Sequence, residues 1–232
     1  MSIHKRNYQL SASLICADML HVEDEVKRLE KGGIDQIHFD VMDGLFVPRI
    51  GLFPELLKQI TSITKIPVEI HLMIESPEKY IENFIDSGAS AITIHAESTQ
   101  HLHRAIKQVK DKNIRVGVAL NPATSFSVLD YIQDELDYVM LMAINPGIVG
   151  HKLIPSMIKK ISDLRNMYLK HKETQIYIDG GVNFESIIEM ISAGADVFVC
   201  GTQTIFRPNE SLDKKIQELK EHIDTSPITH GI

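Results

Sequence analysis

The chain has 232 residues, of which 44% are hydrophobic, and it carries a formal net charge of −7 at pH 7. This length is sufficient for one substantial core. The negative charge gives no electrostatic reason to expect nucleic acid or an anionic membrane as a partner, so an anionic ligand would have to be held by local groups.

The sequence gives no sign of a membrane or secretory protein. No apolar run approaches the roughly 20 residues that cross a bilayer, and residues 1–9 are polar, without the apolar centre of a signal peptide. We therefore expect a cytoplasmic protein. The two cysteines, Cys16 and Cys200, are too few for a disulfide framework or a Cys-rich metal site, and we expect both to be free thiols.

In the first half of the chain, short apolar runs alternate with longer segments of helical periodicity. The predicted strands are Gln9 to Ile15, Ile37 to Val41, Val68 to Met73 and Ala91 to His95. The predicted helices are Asp18 to Lys31, with Met19, Val22, Val26 and Leu29 on one face, Pro54 to Ile63, and Ser76 to Asp86. In the last helix, Ser76 is the expected N-cap and Pro77 the first helical residue.

The same alternation continues through the second half of the chain. The predicted strands are Val116 to Leu120, Tyr138 to Met142, Gln175 to Ile178 and Val197 to Cys200. The predicted helices are Gln100 to Lys112, a short one near Ser127 to Ile132, Pro155 to Lys172, Glu185 to Ala193 and Ser211 to Ile223. A loop at 145–147, Asn-Pro-Gly, follows the sixth strand.

A quasi-repeat supports this division into eight strand–helix units. A small or acidic turn leads into a strand four times, at 33–35, 88–90, 135–137 and 194–196. Strands that are separated by crossover helices pair in parallel, and eight of them predict a (β/α)8 TIM barrel, with a doubly wound open sheet as the alternative. No Pro/Gly/Ser-rich linker divides the chain, so we expect one domain over residues 1–232 with a polar tail from about residue 225.

Several polar side chains fall at the carboxyl ends of these strands, where TIM barrels place their active sites. Strand two ends in His38 and Asp40, which share one face because alternate side chains of a strand point the same way. His71 ends strand three and Asp179 ends strand seven. Two imidazoles and two carboxylates favour one divalent transition metal, Zn²⁺, Mn²⁺, Co²⁺ or Fe²⁺. The alternative is that they are satisfied polar residues of the core.

Glycines follow the last two strands, at Gly180, Gly181 and Gly201, and Thr202 comes next. Loops after strands seven and eight are the usual phosphate position of this architecture, because backbone N–H groups can approach the anion there. The loop at 145–150 could cover the same phosphate. Tight turns without a ligand are the alternative interpretation.

A metal and two carboxylates from opposite sides of a barrel suggest proton transfer next to a carbonyl. Asp40 and Asp179 belong to strands two and seven, so they would approach a substrate from opposite faces. One acting as base and the other as acid would invert a carbon centre.

The chain resembles a known family through a series of blocks in the same order. These are Ser-Leu-Ile-Cys-Ala-Asp (13–18), His-Phe-Asp-Val-Met-Asp-Gly-Leu-Phe-Val-Pro (38–48), His-Leu-Met (71–73), Leu-Asn-Pro-Ala-Thr (120–124), Asn-Pro-Gly (145–147), Leu-Ile-Pro (153–155), Asp-Gly-Gly-Val-Asn (179–183) and Gly-Thr (201–202). They are similar to the ribulose-phosphate 3-epimerases, TIM barrels that interconvert pentulose 5-phosphates epimeric at carbon 3.

This resemblance implies a ribulose-phosphate-binding barrel with one bound metal. It implies His38, Asp40, His71 and Asp179 as metal ligands and Asp40 and Asp179 as the acid/base pair. The positions that it implies for substrate binding are Ser13, Met42, His71, Met73, Met142, Gly147, Gly150, Gly180, Gly181, Gly201 and Thr202. The expected partner is a small phosphorylated ketose, and we expect a homo-oligomer.

Departures from the family pattern leave the substrate open. Arg49 replaces a common Asn, and 148–151, Ile-Val-Gly-His, replaces Phe-Gly-Gly-Gln. Val149 restricts the loop backbone, while Arg49, His151 and Lys152 add positive charge, although Lys152 reads as a solvated loop residue. D-ribulose 5-phosphate is the default substrate and D-allulose 6-phosphate, which would give D-fructose 6-phosphate, is the alternative. A non-catalytic sugar-phosphate-binding barrel is a third possibility.

A related group of decarboxylases and hexulose-phosphate synthases is disfavoured. That group carries Asp-x-Lys-x-x-Asp on the comparable strand, whereas this chain has His38, Asp40 and Asp43 at the same spacing. A carboxylate therefore stands where that chemistry needs a lysine.

Overall fold

A computed structural model describes residues 8–148, 150–167 and 174–227. Eight parallel strands close into a barrel in chain order. The strands are β1 (Gln9–Ser13), β2 (Gln36–Met42), β3 (Val68–Met73), β4 (Ala91–His95), β5 (Arg115–Leu120), β6 (Tyr138–Met142), β7 (Gln175–Asp179) and β8 (Val197–Cys200). Because β1 pairs with both β2 and β8, the sheet is closed, and the predicted TIM barrel is confirmed over the open sheet.

Helices cover the outside of this barrel. In the described residues they are α1 (Val22–Gly32), α2 (Pro54–Ile63), α3 (Ile81–Asp86), α4 (Leu102–Lys110), α5 (Ser156–Met167), α6 (Ser186–Ser192) and α7 (Leu212–Thr225). None of them combines the length and the apolar character that a bilayer crossing needs. The predicted end of the fifth helix at Lys172 lies outside the described residues.

Strand alternation divides the core into two layers. Ile37, Phe39 and Val41 of β2 are buried in the large apolar cluster between the strands and the helices. The intervening His38 and Asp40 point into the barrel and are also buried. The apolar part of the barrel interior is a smaller cluster of Ala91, Ala119, Tyr138, Met140, Met142, Tyr177 and Val197. The polar side chains of β2 therefore point into the barrel, whereas its apolar side chains pack against the helices.

The quasi-repeat has a structural role at the amino ends of the strands. In each copy, the side chain just before an even-numbered strand accepts a hydrogen bond from the backbone N–H of the first or second residue of the preceding strand. The pairs are Asp35 with Leu10, Ser90 with Val68, Asp137 with Val116 and Asp196 with Ile176, at 2.8, 3.2, 2.8 and 2.7 Å. Each copy thus satisfies a backbone donor that the barrel ladder leaves unpaired.

Some predicted boundaries are wrong. The first strand ends at Ser13 and passes into a 3-10 turn at Leu14–Cys16. The first helix begins at Val22, after a 3-10 turn in which Met19 is 41% exposed, so Met19 does not share the buried face. The segment predicted as a helix near Ser127 to Ile132 forms two 3-10 turns, Phe126–Leu129 and Gln133–Glu135.

Ser76 stands at the N-cap position of a 3-10 turn, but its side chain makes no capping hydrogen bond. Its backbone N–H donates to the carbonyl oxygen of Ser98 at 3.0 Å, and its φ is 53°, so the extended conformation of a capping residue is lost. A 3-10 turn at Pro77–Lys79 precedes α3. The cysteines agree with expectation, because both Cys16 and Cys200 are free.

Candidate active site

Four side chains meet inside the barrel at its carboxyl end, and we call them the pocket floor: His38, Asp40, His71 and Asp179. One nitrogen or oxygen atom from each lies within 4.8 Å of the others. The register explains the meeting, because Asp40 pairs with His71 across β2 and β3. The sequence placed all four at strand ends, and the structure brings them together.

The spacing of these atoms fits one small cation. Nε2 of His38 lies 3.1 Å from Oδ1 of Asp40 and 3.3 Å from Nδ1 of His71. Oδ2 of Asp179 lies 3.4 Å from the same His71 nitrogen and 3.8 Å from Nε2 of His38. Ligand atoms around a tetrahedral ion at zinc-like bond lengths stand about 3.3–3.6 Å apart. The two imidazoles and two carboxylates therefore suit a divalent transition metal in both spacing and chemistry.

The electrostatics of the floor favour an ionised Asp40. Burial alone would raise the pKa of Asp40, but His38, His71 and the Ser13 hydroxyl lower it below its usual value. That hydroxyl donates to Oδ2 of Asp40 at 2.7 Å. Burial opposes protonation of His38, yet the carboxylates of Asp40 and Glu69 raise its pKa well above the ordinary value. Metal binding at Nε2 of His38 would therefore require loss of this proton.

A pocket opens above the floor, with about 720 Å³ of empty space that includes open solvent. Asp40 and Asp179 reach it from the floor, and Ser13, Met42, Met73 and Met142 line its walls. The remaining predicted positions form what we call the pocket rim: Gly147, Gly150, Gly180, Gly181, Gly201 and Thr202. His38 and His71 are fully buried behind the carboxylates. The positions predicted to bind substrate therefore line one cavity, with the exception of His71.

Three of the departures from the family pattern, Arg49, Ile148 and His151, also line this pocket. Lys152 is exposed and does not line it. Among the described residues, no side chain forms a hydrogen bond or ion pair with the Arg49 guanidinium. Val149 lies outside the described residues. The positive charge of Arg49 is therefore directed at the pocket without an acidic partner.

Glu69 is a buried residue that the sequence reasoning did not identify. Its Oε2 lies 2.5 Å from Nδ1 of His38, and its other oxygen accepts a hydrogen bond from Thr93. Thr93 is in turn 2.8 Å from the hydroxyl of Tyr138. A signal was present, because Glu69 stands two residues before His71 on an otherwise apolar strand and so points into the barrel with it.

His95 and Glu97 were missed as well. Nε2 of His95 lies 2.8 Å from Nε2 of His71, and Nδ1 of His95 lies 3.1 Å from Oε2 of Glu97. Desolvation by burial lowers the pKa of His95 to about 4, so this imidazole is neutral at pH 7. The order His-x-Glu at the end of β4 repeats the order His-x-Asp at the end of β2, a signal that could have been read from the sequence.

Comparison with known proteins identifies relatives. The model of the ribulose-phosphate 3 epimerase family matches residues 9–206. The chain is 41% identical to ribulose-phosphate 3-epimerase of Bacillus subtilis, over 84% of this chain and 90% of the relative. It is 40% identical to the chloroplastic ribulose-5-phosphate-3-epimerase of Arabidopsis thaliana, over 85% and 72%. It is 33% identical to the Escherichia coli ribulose-phosphate 3-epimerase, over 94% and 97%.

Solved structures show the same fold at low sequence identity. A 3-keto-L-gulonate-6-phosphate decarboxylase from Vibrio cholerae superposes with a TM-score of 0.73 at 12% identity, covering 94% of this chain and 98% of that one. For a 3-hexulose-6-phosphate synthase from Salmonella typhimurium the TM-score is 0.68 at 15% identity, covering 96% and 100%. These likenesses confirm the barrel alone. The family match and the relatives carry more, and they show that this chain is an isomerase that belongs to the ribulose-phosphate 3-epimerase family.

Proposed function

We propose that this protein is a metal-dependent 3-epimerase that interconverts D-ribulose 5-phosphate and D-xylulose 5-phosphate. The observation that carries the proposal is the pocket floor, in which carboxylates from β2 and β7 converge with two imidazoles beneath one cavity. A protein that only bound a sugar phosphate would have no use for two ionisable acids at this position. The family supports a phosphorylated sugar as the substrate class.

One divalent cation, Zn²⁺, Mn²⁺, Co²⁺ or Fe²⁺, would be held by His38, Asp40, His71 and Asp179. When bound, such an ion supplies a Lewis acid that stabilises negative charge on a ketose oxygen. The two imidazoles exclude Mg²⁺ and Ca²⁺ as first choices, because those ions prefer oxygen ligands.

The two aspartates would carry the proton transfers. One carboxylate removes the proton from carbon 3, which leaves an enediolate, and the other returns a proton to the opposite face of that carbon. Asp40 can act as the base because an aspartate carboxyl with an ordinary or lowered pKa is ionised at neutral pH. One proton leaves and one is returned, so the substrate neither gains nor loses a proton overall. In the reverse direction the two aspartates exchange their roles as base and acid.

The rest of the pocket would position the sugar. Met42, Met73 and Met142 line the pocket with apolar side chains, which would limit access of water to the reacting carbon. Ser13 would contact the substrate while it hydrogen-bonds Asp40. The phosphate would lie at the pocket rim, where Gly180 and Gly181 have φ values of 90° and 68°, a backbone conformation that favours glycine. The phosphate would then lie over the carboxyl ends of β7 and β8.

D-allulose 6-phosphate is a second candidate substrate. It is one carbon longer, and the unpartnered guanidinium of Arg49 at the pocket offers a contact for a more distant phosphate. Retention of all four floor residues argues against the third possibility, a non-catalytic binding barrel. Homo-oligomerisation and a cytoplasmic location stay predictions.

The test is a side-by-side assay of both sugar phosphates with the chelated protein and after loading with each of the four metals. We expect turnover of D-ribulose 5-phosphate only in the metal-loaded protein. Faster turnover of D-allulose 6-phosphate would reassign the substrate, and inactivity toward both sugars would contradict the catalytic proposal.

A further inference from the structure

The two imidazoles of the pocket floor need their protons on particular nitrogens if they are to bind a metal. A neutral imidazole has one N–H and one lone pair, and only the lone pair can be a ligand. In this site Nε2 of His38 and Nδ1 of His71 face the other floor residues. Both protons must therefore sit on the nitrogens that face away from the floor.

For His38 the fixing group is adjacent. Its Nδ1 faces Oε2 of Glu69 at 2.5 Å, and a carboxylate accepts hydrogen bonds but donates none. The proton of the neutral imidazole therefore lies on Nδ1, and Nε2 keeps the lone pair.

For His71 the neighbour is another imidazole, which does not by itself decide where the proton lies. Nε2 of His71 and Nε2 of His95 are 2.8 Å apart, their rings are nearly parallel at 15°, and both side chains are fully buried. One nitrogen must donate and the other accept. Two arrangements satisfy this contact, and they place the lone pair of His71 on opposite nitrogens.

Glu97 decides between the two arrangements. Its Oε2 lies 3.1 Å from Nδ1 of His95, and because a carboxylate only accepts, Nδ1 of His95 must donate. Nε2 of His95 is then the acceptor and Nε2 of His71 the donor. The lone pair of His71 consequently lies on Nδ1, facing the pocket floor.

Glu97 is held in this orientation from the other side. Its Oε1 accepts from the backbone N–H of Asn121 at 2.9 Å and from the hydroxyl of Thr124. Lys160 of α5 fixes that turn by donating to the carbonyl oxygens of Asn121, Pro122 and Thr124 at 2.9, 2.9 and 2.8 Å. The orientation of the carboxylate therefore rests on fixed backbone groups.

We propose that Glu97, acting through His95, is a positioning residue that fixes the tautomer in which His71 presents its Nδ1 lone pair to a divalent cation. That His71 binds a metal rests on the proposed function, whereas the proton positions on His71 and His95 follow from contacts within the protein. Neither residue touches the reacting atoms.

The substitution Glu97→Gln should move the proton of His71 to its other ring nitrogen, with almost no change in side-chain shape. The backbone N–H of Asn121 needs an acceptor, so the new amide turns its oxygen there and its NH₂ group toward Nδ1 of His95. That nitrogen must then accept, Nε2 of His95 donates, and the proton of His71 moves to Nδ1. The matched control is Glu135→Gln, because Glu135 accepts from His103 at 2.8 Å on the surface.

The experiment has two arms. Long-range ¹H–¹⁵N NMR of the metal-free and zinc-loaded wild type should show the His95 proton on Nδ1 and the His71 proton on Nε2. A zinc titration against a competing chelator should show a dissociation constant at least about 10-fold larger for Glu97→Gln than for the wild type. Glu135→Gln should leave the constant unchanged. Circular dichroism establishes that each variant is folded.

A wild-type His95 with its proton on Nε2 overturns the inference, as does a folded Glu97→Gln variant with wild-type zinc affinity. If that variant does not fold, the wild-type spectrum decides alone. If the zinc-loaded wild type shows these tautomers but no epimerase activity, the proposed function fails and the positioning role stands.

Discussion

The pocket floor and the pocket rim are built differently. The floor residues project from β2, β3 and β7, and their neighbours are buried groups with fixed hydrogen bonds, such as Glu69 and Thr93. The rim residues lie on loops after the strands, and the departures at Arg49 and His151 stand next to them. The difference indicates that the reaction is fixed by the barrel and that the choice of substrate can vary with the loops.

The largest effect is expected from the floor. Asp179→Asn keeps the shape but removes a carboxylate that the proposed mechanism needs, so kcat should fall by at least about 10³-fold while the far-ultraviolet circular dichroism stays the same. Steady-state kinetics checks this, with the exposed Asp163→Asn as control. Retained epimerisation would remove Asp179 from the mechanism.

The rim should respond in KM more than in kcat. A Cβ on Gly181 would stand 2.8 Å from the backbone Cα of Leu153, whereas a Cβ on Gly150 would meet nothing within 4 Å. Both glycines have positive φ, so both alanine variants share the backbone strain and only Gly181→Ala must also move the loop. We expect KM to rise about 10-fold in Gly181→Ala and about threefold or less in Gly150→Ala. Equal effects would show that the space at Gly181 is unimportant.

Below the floor, the Glu97 carboxylate gives a pH-dependent contribution to folding. Burial opposes its ionisation, but hydrogen bonds from His95, Thr124 and Asn121 lower its pKa from 4.5 to about 2. A lowered carboxyl pKa stabilises the fold above pH 4.5, and this stability is lost as the pH falls toward 2. Since Glu97 is partly solvated, we expect its ionised carboxylate to contribute about 1–2 kcal/mol to the free energy of unfolding. Urea unfolding at pH 5 and pH 3 should show a smaller loss for Glu97→Gln than for the wild type; equal losses would contradict this assignment.

The smallest effect is expected at the outer edge of the rim. Arg49→Asn restores the residue that is common in the family and removes the unpartnered charge, so KM for a sugar phosphate should rise about fivefold, which corresponds to about 1 kcal/mol. The rise should shrink at high salt. Lys152→Asn is the control because it removes a charge that does not line the pocket. No change in KM for either sugar would mean that Arg49 does not contact the substrate.

The same contrast explains how much could be predicted from the sequence. The barrel and the floor were predictable, because strand alternation puts His38 and Asp40 on one face and parallel pairing brings strand ends to one rim. The capping hydrogen bond expected of Ser76 is not formed, and its backbone N–H donates to Ser98 instead, a contact between loops that no local pattern encodes. The His71–His95–Glu97 contacts required the register between strands, and the absence of a partner for Arg49 required the packed loops.

If Asp40 and Asp179 act on opposite faces of one carbon, the fate of the proton on carbon 3 is the most direct measurement of their pairing. The metal-loaded protein should convert D-ribulose 5-phosphate in D₂O to D-xylulose 5-phosphate that carries one solvent deuterium at carbon 3, as measured by NMR. Product that retains the original proton at carbon 3 would indicate a single group that removes and returns it, and would contradict the proposed pair of Asp40 and Asp179.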